Sequence, residues 1–524
     1  MNIRIVLVSF VLGVLGLGAL PALGDAFQIT TLLPEATKVI DSRGGVVEVT
    51  NAASPLYGSR VEIPAGALSG PTEISINRVS GNAGYPADVI VTDIEPHSAK
   101  LALPAYVTLK YSPQYLYDNG AEGAEHVHVI TANTEDSVGG FETLNQDTVL
   151  SLVTVQAPQL GTFVPQVFSN ATAKGAYGFV SFRFDRATLQ GTMPAKGTLM
   201  PRPKGFEAST GTMSFNGAGS FSGSGTRDTD GVAKAFSTSG TYSISSTGKV
   251  SVPTSHLSGQ ILSTGNIIAL ASTSGSPEID LMLKRAGSYS NASVKGTYVL
   301  ASFRYDIGAD QPTAPAAGTA LPRPRGFTSL LQTLTFDGAG HFTFTGTQNE
   351  DGTVTTQSGS GTYSVSSTGV VSVPAEDLSG QVLSGTVVVL ATTLDDPEIH
   401  MLVKKSGSFS KASVNGAYSL SGFRFDLAAA QATAPSKGSR LPLPRGISSL
   451  TETVTFNGAG SFTFTGTENV NGAAVSRSGS GTYSVSSTGV AAVPGLSGQV
   501  LSGGSLIIMA AKSGSPEFVV LVKH

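Results

Sequence analysis

A unit of about 120 residues is repeated three times over the last two-thirds of the chain, and any fold must accommodate three copies of one design. Gly175-Ala176-Tyr177 followed by Ser181-Phe182-Arg183-Phe184-Asp185 returns as Gly296-Thr297-Tyr298 with Ser302-Phe303-Arg304-Tyr305-Asp306. It returns again as Gly416-Ala417-Tyr418 with Gly422-Phe423-Arg424-Phe425-Asp426. Further along, Phe215-Asn216-Gly217-Ala218-Gly219 aligns with Phe336-Asp337-Gly338-Ala339-Gly340 and Phe456-Asn457-Gly458-Ala459-Gly460, and Ser239-Gly240-Thr241-Tyr242 recurs from Ser360 and from Ser480. A unit this long is a domain rather than a solenoid turn. The copies are expected over 167–286, 287–406 and 407–524, leaving 25–166 as a separate N-terminal unit.

The 524 residues include 63 Gly, and only 13% are charged, which disfavours long helices and suits short strands joined by tight turns. A net charge of −4 leaves no basic footprint, so neither nucleic acid nor an acidic membrane surface is an expected partner. The absence of Cys excludes disulfides and a lipid-modified cysteine. Residues 1–24 place Arg4 before an apolar run from Ile5 to Leu20 and end in Ala22-Leu23-Gly24, the pattern of a secretory signal peptide. That run is short for a membrane span, and no later run is long and apolar enough for one. An extracytoplasmic protein is expected: secreted, periplasmic or on a bacterial cell surface.

In the N-terminal unit, Val61-Glu62-Ile63-Pro64-Ala65-Gly66-Ala67-Leu68 and Thr72–Ile76 are short alternating strands meeting at a Pro/Gly corner, and Leu101–Leu109 is another strand, preceded by Pro96. This order of motifs over about 40–150 resembles the ZU5 domain, whose Ile-Pro-x-Gly-Ala-Leu segment is matched from Ile63 to Leu68. The resemblance implies a β-sandwich that acts as an interaction module and brings no catalytic residues. His126 and His128 alternate on one strand and can share a face, but no third ligand accompanies them, and no metal site is expected.

Within the first copy, turn signals at Asn216-Gly217, Asp230-Gly231, Thr247-Gly248, Thr264-Gly265 and Ser274–Pro277, with one long connection near 186–205, mark off eight strands in succession. Eight antiparallel strands in a row fit an up-and-down barrel, in which the first strand pairs with the last and no edge is left exposed. The fold class is therefore all-β: a β-sandwich followed by three tandem eight-stranded antiparallel barrels. The long connection after the first strand, and Gly175-x-Tyr177 in place of a Gly-x-Trp, resemble lipocalins and related calycins. That resemblance implies a carrier holding a small apolar ligand in each barrel.

Closure fixes a register. Tyr177 and Arg183 are six residues apart on the first strand, as are Glu278 and Lys284 on the last, so Arg183 can face Glu278 while Tyr177 faces Lys284. The equivalent pairs are Arg304 with Glu398 and Tyr298 with Lys404, then Arg424 with Glu517 and Tyr418 with Lys523. The alternate positions Val180, Phe182 and Phe184, with Ile279, Leu281 and Leu283, form the apolar set. Binary pattern puts that set inside the barrel and the charges outside, whereas the lipocalin resemblance turns Tyr177 inward; the pattern is the expected arrangement.

The long connection carries Arg202 and Lys204, Arg323 and Arg325, and Arg445, each beside prolines that stiffen the loop. These cations are either partner contacts, lidding a barrel mouth or gripping an anionic group, or solvated charges on a rigid connector. The joints Phe168–Gly175, Tyr289–Gly296 and Phe409–Gly416 are too short for flexible linkers, so the copies should be held close. Contact between copies is also expected from the seventh strand, because Asn266–Ala271, Thr386–Ala391 and Ser505–Ala510 are apolar on both faces. No catalytic set repeats: His256, His341 and His400 occupy different places in their copies, and no nucleophile or phosphate motif has its required context. A non-enzymatic protein without cofactor is expected. It would act as a spacer or multivalent binding array toward a protein or surface polymer, or as a carrier of small apolar ligands.

Overall fold

Turn chemistry and period-two alternation produce an all-β chain in the computed structural model. The structure describes residues 31–523 apart from 81–88, 119–126, 132–139, 142, 186–197, 200–204, 230, 263–264, 286, 307–325, 395, 427–441, 444–445, 471 and 502. The signal-like segment, His126, and the connection cations Arg202, Lys204, Arg323, Arg325 and Arg445 lie outside the described residues. No described helix is long and apolar enough to cross a membrane.

The N-terminal unit contains a six-stranded and a five-stranded antiparallel sheet. Ile74, Ile76 and Phe163 from the first meet Val61, Val107 and Val155 from the second in one core.

In the first copy the strands are β1 (Gly175–Asp185), β2 (Gly205–Phe215), β3 (Ser220–Thr229), β4 (Val232–Thr241), β5 (Ser243–Ile244), β6 (Lys249–Val252), β7 (Leu257–Ile261), β8 (Ile267–Ser272) and β9 (Glu278–Lys284). The other copies repeat this set from Gly296–Asp306 to Glu398–Lys404 and from Gly416–Asp426 to Glu517–Lys523, and keep the same numbers here. Each sheet runs β4-β3-β2-β1-β9-β8-β7-β6-β5, antiparallel throughout, with the first and last strands paired at its centre.

The expected closed eight-stranded barrel is not formed; each copy is an open, curled nine-stranded half-barrel. The ladder is interrupted at Tyr242, which lies between β4 and β5. Tyr242 enters the copy's core, and its hydroxyl donates to the Asn170 carbonyl at 2.9 Å. The Asn170 side chain takes the Ile244 N–H at 2.8 Å. Tyr363 with Asn291 repeats both bonds, and Tyr483 repeats the first with Lys411. β4 stays with β3 and β5 goes with β6, so the ladder stops between them.

The convex face of each sheet explains how three open sheets form one body. Val180, Phe182 and Phe184 do not point into their own half-barrel as the binary pattern suggested; they enter a core shared by all three copies. Alternation identifies a buried face, but it does not say what covers it. At the centre, Phe182, Phe303 and Phe423 form a triangle with ring centroids 5.4, 5.0 and 5.1 Å apart, in edge-to-face geometry. Around it, Phe206 stacks on Tyr305 at 4.2 Å and Phe327 on Phe425 at 4.1 Å. Ile447 replaces the third phenylalanine and lies in the same core as Phe184.

The contacts run in a ring. β2 of the first copy meets β8 of the second (Val387–Thr392), β2 of the second (Gly326–Phe336) meets β8 of the third (Leu506–Ala511), and β2 of the third (Gly446–Phe456) returns to β8 of the first. Buried hydroxyls mark two of these joints. Ser329 Oγ donates to the Ala511 carbonyl at 2.9 Å, and Ser449 Oγ donates to the Ser272 carbonyl at 2.7 Å. At the remaining joint the matching residue is Ala208, part of the apolar core. Gly178 has no side chain because a Cβ there would lie 2.3 Å from Gln381 of the second copy. The expectation that short joints and a doubly apolar strand hold the copies together agrees with this packing.

A shared core should unfold as a unit. Phe182→Ala should lower stability by about 3–5 kcal/mol and reduce amide protection in all three copies, as read by hydrogen exchange across a denaturant series. Loss confined to the first copy would show that the three cores are independent.

Candidate functional site

The other side of every sheet is concave, and strand alternation selects its residues. Tyr177, Phe179, Ser181 and Arg183 from β1 lie beside Lys284, Met282, Asp280 and Glu278 from β9. One end is plugged by the joint that precedes each copy. Phe168 and Ala173 lie in the first copy's concave core, and the hydroxyls of Tyr177, Tyr298 and Tyr418 donate to the carbonyls of Gly265, Gly385 and Gly504. Gly265 turns with φ +69°, and a Cβ there would sit 2.4 Å from the Thr172 carbonyl of the plug. Lys284, Lys404 and Lys523 rest 5.9, 5.8 and 5.9 Å from the rings of these tyrosines. This end is a buried plug, with Tyr177 and Ala173 fully buried, and burial lowers the Lys284 pKa and raises that of Tyr177.

Toward the Arg183 end the half-barrel is not filled. The first copy encloses a cavity of about 330 Å³, lined by Phe179, Phe221 and Phe236 together with Arg183, Arg227, Glu278 and Asp280. The second encloses about 260 Å³, with Leu300, Leu330, Phe342 and Phe344 beside Arg304, Glu398 and His400. In the third, Val519 occupies the place of Asp280 and His400. A Cβ at Gly422 would meet Val519 Cγ1 at 2.8 Å and Leu450 Cδ1 at 3.2 Å.

Different ions line the same scaffold. In the first copy, Arg183 Nε is 3.9 Å from Glu278 Oε2, and Arg227 Nη1 is 3.6 Å from Glu207 Oε2. Burial pushes the Asp280 carboxyl well above its ordinary value, the nearby Glu278 adds to this, and Arg183 and Arg227 only partly oppose it. In the second copy, His400 Nε2 is 2.7 Å from Glu398 Oε1. Burial raises the Glu398 pKa, but His400 and Arg304 outweigh that and hold it below the usual carboxylate range. In the third, Arg424 Nη2 is 2.5 Å from Glu468 Oε1, and Arg477 Nη1 is 2.9 Å from Glu452 Oε1. Glu452 and Glu517 are both raised by burial, against the pull of Arg477 on the first and Arg424 on the second.

The register places Arg183 opposite Glu278, Arg304 opposite Glu398 and Arg424 opposite Glu517, with Tyr177, Tyr298 and Tyr418 opposite Lys284, Lys404 and Lys523. These residues face the concave interior rather than the outside. Sequence reasoning missed Asp280, His400, Arg227, Glu452, Glu468 and Arg477. The signal for Asp280 and His400 was their place two residues after the paired glutamate, which puts them on its face of β9. The connections that hold the proline-framed cations start and end at the Arg183 end, where Asp185 pairs with Gly205. Thr198–Leu199 of the first copy pairs with Pro442–Leu443 of the third.

A second cluster lies in the N-terminal unit. Asp93, Glu95 and His97 bring possible ligand atoms within 4.8 Å of one another. His97 Nε2 is 2.8 Å from Asp93 Oδ1, Thr162 donates to the same oxygen at 2.5 Å, and Asn77 donates to Oδ2 at 3.2 Å. A cation would have to displace these bonds. Asp93 instead ties three neighbouring strands together as a buried acceptor.

No protein-family model matches the sequence, and no curated protein matches it. Among solved structures, the chain has a loose likeness to the isotype 1 transferrin binding protein B of serogroup B Neisseria meningitidis. Identity is 10%, over 76% of this chain and 84% of that one, with a TM-score of 0.16. A mutant transferrin binding protein B from Haemophilus parasuis Hp5 gives 11% identity over 85% and 98%, with a TM-score of 0.15. Superpositions this loose carry no functional argument, which falls to the cavities themselves.

The raised carboxyl of Asp280 has a thermodynamic consequence. From its ordinary 3.8 upward the unfolded chain gives up the proton while the folded chain keeps it, so the group's contribution to stability falls as pH rises. Asp280→Asn keeps the neutral shape and removes that loss. Its melting temperature should match the parent's near pH 4 and exceed it at pH 7.5, by at least about 1 kcal/mol in stability. An equal gap at both pH values would refute the assignment.

Proposed function

We propose that this chain is an exported, non-enzymatic binding protein whose half-barrels are ligand cups held in a ring. The observation that carries this reading is the pair of partly charged cavities of about 330 and 260 Å³ on faces that the fold has no need to leave open. Protein interiors are close-packed, and cavities with convergent polar groups are the usual form of a small-molecule site. The ring also favours a compact multivalent platform over an extended spacer, because the shared core fixes the direction of all three cups.

In this reading the chain divides at 25–166, 167–286, 287–406 and 407–524. The N-terminal unit serves as a ZU5-like interaction module, and residues 1–24 direct export to the periplasm, cell surface or medium. Arg202, Lys204, Arg323, Arg325 and Arg445 act at the cup end, as contacts for a ligand or for a protein or surface-polymer partner. The buried Arg–Glu pairs shape the cup floors and hold strand register.

Native mass spectrometry of the full mature chain, purified from a secreting host, tests the proposal. A small molecule should be retained and released on unfolding, or a thermal-shift screen of small molecules should stabilise the ligand-free chain. A chain that carries no ligand and responds to no compound would overturn the cup reading in favour of a purely structural role.

A further inference from the structure

The second cup differs from the first in the character of its walls. Leu300, Leu330, Leu334, Phe342, Phe344 and Leu390 make it mainly apolar; its buried or half-buried ionisable groups are Arg304, Glu398 and His400, and Glu376 is an exposed member of its lining. We propose that it binds an uncharged, largely apolar small molecule with one hydrogen-bonding group, the apolar body against Leu330, Leu334, Phe342 and Phe344 and the polar group at His400. This rests on the reading of the half-barrels as ligand cups.

Three observations select that chemistry. First, the buried charges already engage one another. His400 and Arg304 hold Glu398 ionised, so a charged ligand would have to compete with these contacts in a low-dielectric space. Second, His400 is only 4% exposed, its Nε2 is 2.7 Å from Glu398 Oε1, and its Nδ1 has no hydrogen-bond partner among the described residues, so a ligand hydroxyl or carbonyl would satisfy a buried polar atom. Third, about 260 Å³ equals roughly nine waters at their liquid volume, or on the order of ten non-hydrogen atoms. A fused bicyclic aromatic alcohol is of that size.

The sister copies supply variants that the scaffold already tolerates. His400→Val installs what the third copy carries as Val519, and Gln357→Phe installs what the first copy carries as Phe236. The probes are 2-naphthol, 2-naphthoate and 2-naphthylmethylamine, which share one ring system and are neutral, anionic and cationic at pH 7. The chain has no Trp, so naphthalene fluorescence can be followed directly in titrations of the full mature protein.

Naphthol should bind at one site, with both charged analogues weaker by about tenfold or more. His400→Val should weaken naphthol by a similar factor, and Gln357→Phe should block it by filling the space. If naphthol fails to bind, if naphthoate binds as well, or if both variants leave its affinity unchanged, the proposal is wrong. A ligand retained in native mass spectrometry alongside any of those results would remove this inference and leave the cup reading standing. Absence of every ligand would remove both.

Discussion

Among the described residues, the convex faces of the three sheets are covered by one another, and the rest of the repeated structure depends on that constraint. A sheet bearing Val180, Phe182 and Phe184 on one side and Tyr177, Phe179 and Met282 on the other is apolar on both faces. Curling buries the second set within the copy. The first set would remain in water in an isolated half-barrel, at a cost of roughly 25 cal/mol for each Å² of apolar surface. Threefold packing removes it from water, and the Phe182–Phe303–Phe423 triangle is where the three surfaces converge.

That division of labour follows from the two-residue period of a strand. On β1, even-numbered positions from Val180 to Phe184 build the ring, and odd-numbered positions from Phe179 to Arg183 line the cup. Substitution on one face therefore need not disturb the other. The chain shows this in its own copies. The concave positions Arg227, Gln348 and Glu468 are equivalent on β3, and Phe236, Gln357 and Arg477 are equivalent on β4, whereas the central phenylalanine is kept in all three. Asp280, His400 and Val519 vary in the same way on β9.

Local features of this fold were legible in the residues because local chemistry sets them. Asn216-Gly217 and its equivalents specify hairpins, and equal spacing of Tyr177 to Arg183 and of Glu278 to Lys284 specifies the β1–β9 register. Barrel closure was not legible. The ladder breaks where Tyr242, Tyr363 and Tyr483 turn inward, each donating to a main-chain carbonyl 72 residues away, a contact that no spacing announces. The identity of the covered face was hidden for a related reason: alternation records that Phe182 is buried, and only the arrangement of copies says by what. The cup residues Arg227 and Asp280 were overlooked because each is an ordinary alternate-position charge until curvature brings β3, β1 and β9 around one space.

The buried ions of the cups are better explained by selectivity than by stability. Removing charges from water costs several kcal/mol per ion, and a well-packed apolar replacement is often as stable or more so. The third copy shows that this scaffold accepts such a replacement at one of these positions, since Val519 occupies the Asp280 site and lies in the same apolar core as Leu450. The first and second copies nevertheless keep Asp280 and His400, each beside open volume rather than inside a filled core. A buried polar group retained where packing could replace it, next to space that packing could fill, is the combination expected when the contents of the cup, rather than the fold, determine the residue.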